Sequence, residues 1–332
     1  MNLKKVVTSL VVVLIIGALC IGCGEVKTPQ LQNKAKTNVV VNIAGLQGPS
    51  SISMIKMFED KPLLGDNVET NYIVAKTPDI LVSKLISKEV DIAAIPTNLA
   101  AKIYNKGIDY KIIAMNTWGV MYFIGTDNTI KKWEDLKGKK IYAVGKGSNP
   151  DVVLRYLLNK NGLNPEKDVI IDYSIAQVEL AQAVAGGKVS LALLPEPFVT
   201  MAQIKNKDVK VIFDVQREWK KINGEKSEFT QTCIVASGDL IKNHNDIIEK
   251  FKNELKNSMD WVNENKVLAG ILVEKHGIGM KAKIAKTAIP RCNIKYENAQ
   301  DAKQALNTFF KIILDYSPKD IGGKLPDENF YY

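Results

Sequence analysis

Val90-Asp91-Ile92-Ala93-Ala94-Ile95-Pro96 and, 99 residues further on, Val189-Ser190-Leu191-Ala192-Leu193-Leu194-Pro195 follow one pattern: an apolar strand that ends in proline. A second pair shares the offset. Gly48-Pro49-Ser50-Ser51 opens a loop into a helix, and Gly147-Ser148-Asn149-Pro150 does the same. Repeated punctuation at a domain-sized spacing predicts two lobes of one design. Outward from these landmarks, strands are expected at 39–44, 71–74, 90–95, 110–115 and 121–125, with helices from Gly48 to about Glu59 and over 78–88 and 98–105. Strand–helix alternation of this kind argues an α/β chain with largely parallel sheets covered on both faces.

A strand at 209–213 extends the second lobe, and a strand at 233–236 precedes a helix-rich segment. There Ile248, Phe251, Leu255, Met259 and Val262, then Ala302, Leu306, Phe309, Ile313 and Tyr316, recur every three or four residues. Such stripes are the core faces of two helices. A late return to the first lobe places chain crossings near 125–128 and 229–233, the paired connections that a hinge requires. The lobes are expected at 38–126 with 233–332, and at 127–232.

The chain has 332 residues, is 46% hydrophobic and 24% charged, and carries a formal net charge of +9. That length suits two lobes rather than one small core. The lysines are interleaved with acids, as in Glu249, Lys250, Lys252, Glu254 and Lys256. Solvated faces are therefore expected, and no nucleic-acid partner. Lys4 and Lys5 precede an apolar run at 6–19 and then Cys20-Ile21-Gly22-Cys23, the layout of a secretory signal over 1–22. Gly22 before Cys23 matches a bacterial lipobox, although Cys20 stands where leucine is usual. Cys23 would carry a diacylglyceryl group, two chains being what stable anchoring takes. Residues 23–37 read as a polar tether, leaving the bulk of the protein outside the membrane. Cys233 and Cys292 either pair or are buried free thiols. With only His244 and His276 as histidines, neither a zinc site nor any other metal site or cofactor is expected.

In open α/β sheets ligands bind beyond the carboxyl ends of the strands. That rule selects Gly48, Pro49, Ser50 and Ser51 together with Ser148 and Asn149, whose helix-start N–H groups favour an anionic ligand atom. Ser50 and Asn149 could equally be ordinary N-caps. It also selects Thr97 and Asn98 after Pro96, and Glu196 after Pro195. Glu196 either faces the cleft, to meet a donor on the ligand, or is a solvent-exposed acid at a helix start. Trp118 and Phe198 are candidates to stack on a flat ligand, or core.

The lipobox, Asp91-Ile92-Ala93-Ala94-Ile95-Pro96-Thr97-Asn98, Leu193-Leu194-Pro195-Glu196-Pro197-Phe198 and Ile321-Gly322-Gly323-Lys324-Leu325-Pro326 together resemble bacterial ABC-transporter substrate-binding lipoproteins. The branch is that of nitrate, sulfonate, taurine and thiamine-precursor binders. The resemblance implies the two-lobed type II periplasmic-binding-protein fold, a cleft for a small molecule, lobe closure without chemistry, and delivery to an ABC permease and its ATPase by a lipid-anchored monomer. Thiamine-pyrimidine synthases and menaquinone-pathway enzymes share the fold, and a surface sensor would share the mechanics. No nucleophile–base signature, H-E-x-x-H or phosphate loop supports an enzyme.

Overall fold

The computed structural model describes residues 38–225 and 227–332. The signal, Cys23 and the tether lie outside the described residues. Two sheets organise the remainder. The strands of the first are β1 (Val39–Leu46), β2 (Val68–Ala75), β3 (Ile92–Pro96) and β4 (Tyr110–Trp118); those of the second are β5 (Met121–Gly125), β6 (Lys140–Tyr142), β7 (Ile170–Asp172), β8 (Leu191–Pro195) and β9 (Lys210–Asp214). The chain then returns to the first sheet with β10 (Thr230–Ser237) and β11 (Ile294–Asn298).

The strand orders are β2-β1-β3-β10-β4-β11 and β7-β6-β8-β5-β9. In each, three parallel strands are followed by one antiparallel strand lent by the chain just after it crosses from the other sheet: β10 beside β3, β5 beside β8. The repeated strands β3 and β8 hold equivalent places, so the spacing in the sequence is an architectural repeat. Both are buried along their whole length, because helices cover both faces.

The helices that cover the sheets are α1 (Pro49–Ile52), α2 (Ile55–Asp60), α3 (Pro78–Ile86), α4 (Thr97–Asn105), α5 (Asn149–Lys160), α6 (Gln177–Ala185), α7 (Phe198–Lys205), α8 (Val215–Asn223), α9 (Gly238–Asn243), α10 (Asn245–Glu264), α11 (Lys266–Lys275), α12 (Ala282–Ala288) and α13 (Ala299–Tyr316). The period-2 alternation of strands sorts the core into two layers. Ala93, Ile95, Leu191, Leu193, Cys233 and Val235 join one cluster. Their neighbours Ile92, Ala94, Ala192, Leu194, Ile234 and Ala236 join the other. Each cluster runs past both sheets. The predicted stripe of α10 is buried throughout, and that of α13 is buried from Ala302 to Ile313, with Tyr316 half-buried at the end of the helix.

Three local expectations change. The helix from Gly48 to Glu59 is broken into α1 and α2 at Ser53 and Met54. The first crossing is not at 125–128: β5 pairs with β8 and β9, so the chain leaves the first sheet at Gly119–Val120. Gly119 suits that passage, since a Cβ there would meet the Gln216 carboxamide and the Phe229 ring. The return precedes Thr230, within 224–229. Cys233 and Cys292 are buried free thiols in opposite core layers. No described helix is long and apolar enough to cross a membrane.

Candidate ligand-binding cleft

A cavity of about 240 Å³ lies where strands of both sheets end. Leu46 and Pro96 close β1 and β3, Pro195 closes β8, and Thr117 and Thr232 come from β4 and β10; all five face it. This is the position that the strand-end rule selects. Loops supply the rest of the wall: Gln47, Pro49 and Ser50 before and in α1, Lys76, Thr77 and Asp79 at the entry to α3, Gly145, Lys146 and Ser148 before α5, and Tyr173, Ile175 and Gln177 before and in α6.

Of the residues selected from sequence, Pro49, Ser50 and Ser148 line this cavity. The others do not, for identifiable reasons. Gly48, at φ 103° and ψ −150°, sets the turn into α1, and a Cβ on it would lie 3.4 Å from the Phe198 ring. That ring is fully buried, in the core. Ser51 Oγ donates to the Leu46 carbonyl at 2.7 Å. Trp118 is buried beside β10, with Lys295 Nζ 5.3 Å from its ring centre.

Thr97, Asn98 and Asn149 are buried against one another where α4 meets α5. Asn149 Nδ2 donates to Thr97 Oγ1 and to the carbonyls of Thr230 and Gln231, at 2.8, 2.8 and 2.7 Å. Its Oδ1 accepts from Asn98 N at 3.2 Å, and Asn98 Nδ2 donates to the Gly147 carbonyl at 3.2 Å. The carboxamide that opens α5 is thus satisfied by groups of α4 and β10. The tail resembling the family pins the same region: Asn98 Nδ2 also reaches the Asp320 carbonyl, and Asn105 Nδ2 reaches those of Ile321 and Lys324.

Glu196 is fully buried and turned from the cavity. It pairs with Arg291, from the turn Ile289–Arg291 before β11, and accepts from Thr200 N at 3.0 Å. Arg291 also donates to Thr200 Oγ1 at 2.7 Å. Burial pushes the Glu196 carboxyl above its ordinary range, and the neighbouring guanidinium opposes that rise.

The strand-end rule extends to β2 and β7, whose exits are not among the residues selected from sequence. Those two strands lead into Lys76-Thr77-Pro78-Asp79 and into Tyr173. Behind Tyr173 stands Asp151, which accepts from Gly147 N at 2.7 Å, from Arg155 Nε at 2.6 Å and from the Tyr173 hydroxyl. It holds the ring in place, and Lys146 Nζ lies 5.8 Å from the ring centre; both residues line the cavity. Among the described residues no group of three or more His, Cys, Asp or Glu could hold a metal ion.

Residues 64–271 match the model of the family described as ABC transporter, phosphonate, periplasmic substrate-binding protein. The chain belongs to that family. Among solved structures, an ABC transporter protein from Parabacteroides distasonis is 30% identical, with a TM-score of 0.71 over 89% of this chain and 99% of that one. The periplasmic substrate-binding fold extends to distant neighbours. The alkanesulfonate-binding protein SsuA from Xanthomonas axonopodis pv. citri has a TM-score of 0.67 at 15% identity, over 87% and 95% of the two chains. The nitrate-binding protein NrtA from Synechocystis PCC 6803 has 0.63 at 12%, over 84% and 82%. Among curated sequences, the binding protein YtlA of Bacillus subtilis (strain 168) is 27% identical over 130 residues, 39% of this chain; the chain spans 36% of that relative's length. The family consists of binding proteins and not of enzymes.

Proposed function

We propose that this substrate-binding protein captures a small polar organic molecule, anionic or zwitterionic, by closing two lobes on it. The lobes are residues 38–118 with 230–332, and 121–223. The protein then presents its cargo to an ABC permease and ATPase. It works as a monomer on the outer face of the membrane, held there by acylated Cys23. The single observation that carries this reading is the cavity bounded by strand ends of both sheets. Its charge supports the ligand class. Lys76 from the loop after β2 and Lys146 from the loop before α5 offer one cation on each side, with Asp79 the acid among the lining residues. Pro49, Ser50 and Ser148 are the sequence-selected residues that we assign to direct contact; Gly48, Ser51, Thr97, Asn98, Asn149 and Glu196 shape and join the walls. SsuA is an alkanesulfonate-binding protein and NrtA a nitrate-binding protein; those ligands belong to those proteins and agree with an oxyanion here.

Native mass spectrometry of freshly purified protein, followed by thermal shift with phosphonates, alkanesulfonates and nitrate, tests the reading. A ligand that binds only the folded state at a hundred times its Kd adds about 2.7 kcal/mol, a clear rise in Tm. No retained small molecule and no shift with any probe would count against capture, and turnover of a probe would contradict binding without chemistry. For the anchor, Cys23→Ser should release the protein into the medium.

A further inference from the structure

One cavity residue is built differently from the others. Gln231 stands in β10, the strand that carries the chain back to the first sheet. Thr230 pairs with Trp118 and Thr232 with Thr117, so two residues of β10 are traversed for one of β4, and Gln231 is the extra residue of a β-bulge. Bulges bend a strand and re-aim a side chain, and they concentrate beside functional sites. Gln231 lines the cavity and is more than nine-tenths buried. Its Oε1 has no hydrogen-bond donor among the described residues. A buried acceptor without a donor opposes folding, so its presence calls for a reason. Its neighbours differ: Thr230 Oγ1 meets Thr97 Oγ1 at 3.0 Å, and Thr232 Oγ1 donates to Asn116 Oδ1 at 2.7 Å.

The main chain of Gln231 gives a second observation. Its carbonyl accepts from Asn149 Nδ2 at 2.7 Å, so the residue whose side chain meets the cavity is tied by its backbone to the opposite sheet's helix α5. We propose that Gln231 is a specificity-determining residue whose carboxamide reads an N–H or O–H donor on the ligand and couples that contact, through Asn149, to closure of the lobes. The ligand then carries a donor as well as its anionic group, and an amino or hydroxyl substituent meets the need. This rests on the cavity being the ligand site.

Gln231→Met keeps the length of the side chain and removes both polar atoms. Two measurements on wild type and Q231M decide the matter. In thermal shift, taurine is compared with ethanesulfonate, and 2-aminoethylphosphonate with ethylphosphonate. Wild type is expected to favour the amino member of a pair at least tenfold, and Q231M to bind both members alike. Discrimination unchanged in Q231M would overturn the proposal. The second measurement needs no ligand: a recognition residue left unpaired in the empty protein predicts that Q231M melts at or above the wild-type temperature. A melting temperature several degrees lower would mean that Gln231 has a structural partner, and would overturn the proposal too. If wild type binds none of the four compounds, the ligand class given above fails, while the ligand-free melting still decides the role of Gln231. An unchanged far-UV circular dichroism spectrum of Q231M is the control for folding.

Discussion

The exits of β3 and β8 start from the same punctuation and reach different ends. Pro96 and Pro195 both face the cavity. Beyond Pro96, Thr97 and Asn98 join a neutral network with Asn149, Thr230 and Gln231. Beyond Pro195, Glu196 is buried in an ion pair with Arg291. At each exit the polar side chain that follows the proline is turned away from the cavity, to a partner on the other side of it. The difference lies in the currency, neutral amide on one side and charge on the other. A repeat therefore preserves where a strand ends without preserving what the next side chain touches.

Substitutions that cut the two connections sharpen this comparison. Asn149→Ala should have the largest effect, since it leaves Thr97, Thr230 and Gln231 acceptors buried without their donor. We expect a loss of about 2–4 kcal/mol in urea unfolding. A loss below 1 kcal/mol would show that water replaces the amide and that the network is not dry. The paired loops come next. Gly48→Ala forces a side chain into a backbone region reserved for glycine, at a cost of about 2–3 kcal/mol. Gly147→Ala, at φ 74° with open space around it, should cost about 1–2 kcal/mol. Equal penalties would break the distinction between the loops.

Arg291→Ala should cost about 1–2 kcal/mol, less than the ~3–5 of a wholly buried pair, because Arg291 is 45% exposed and water screens its charge. The same pair sets a pH dependence. With the folded-state pKa of Glu196 raised, the fold favours the protonated carboxyl. Its contribution to stability is complete below the ordinary value and is lost as pH climbs through the window above it, levelling off beyond the folded value. Urea midpoints from pH 4 to 8 should show this decline in wild type and not in Glu196→Gln; parallel curves would contradict it. Smallest of all, Lys76→Gln or Lys146→Gln should weaken an anionic ligand by about 0.5 kcal/mol at low salt and less at high salt, leaving ligand-free melting unchanged. Both lysines are exposed, so a large effect would mean that closure buries them.

The repeat, the α/β class and the order of elements from β1 to β5 are legible because they rest on periodicity and punctuation, which are local. Placing the first crossing before β5 needed a long-range fact: Met121–Gly125 could pair in either sheet, and only its partners β8 and β9 decide. β6, β7 and β11 are not expected from the sequence, since Lys140–Tyr142 and Ile170–Asp172 span three residues each and Ile294–Asn298 is half polar at a sheet edge. In the cleft, Ser50 and Ser148 followed from strand ends, whereas Asn149 and Glu196 carry the same chemistry into contacts between lobes that no spacing reveals. Gln231 had no sequence signal at all. Its distinction is a bulge, which exists only between two strands.

The central claim is that two lobes close on a molecule they do not transform. Small-angle X-ray scattering of the purified protein, stripped of ligand and then resaturated with the small molecule identified by native mass spectrometry, tests it most directly. The account predicts a smaller radius of gyration on binding, fully reversed when the unchanged molecule is removed. Tight binding with identical scattering in both states, or recovery of the molecule chemically altered, would contradict it.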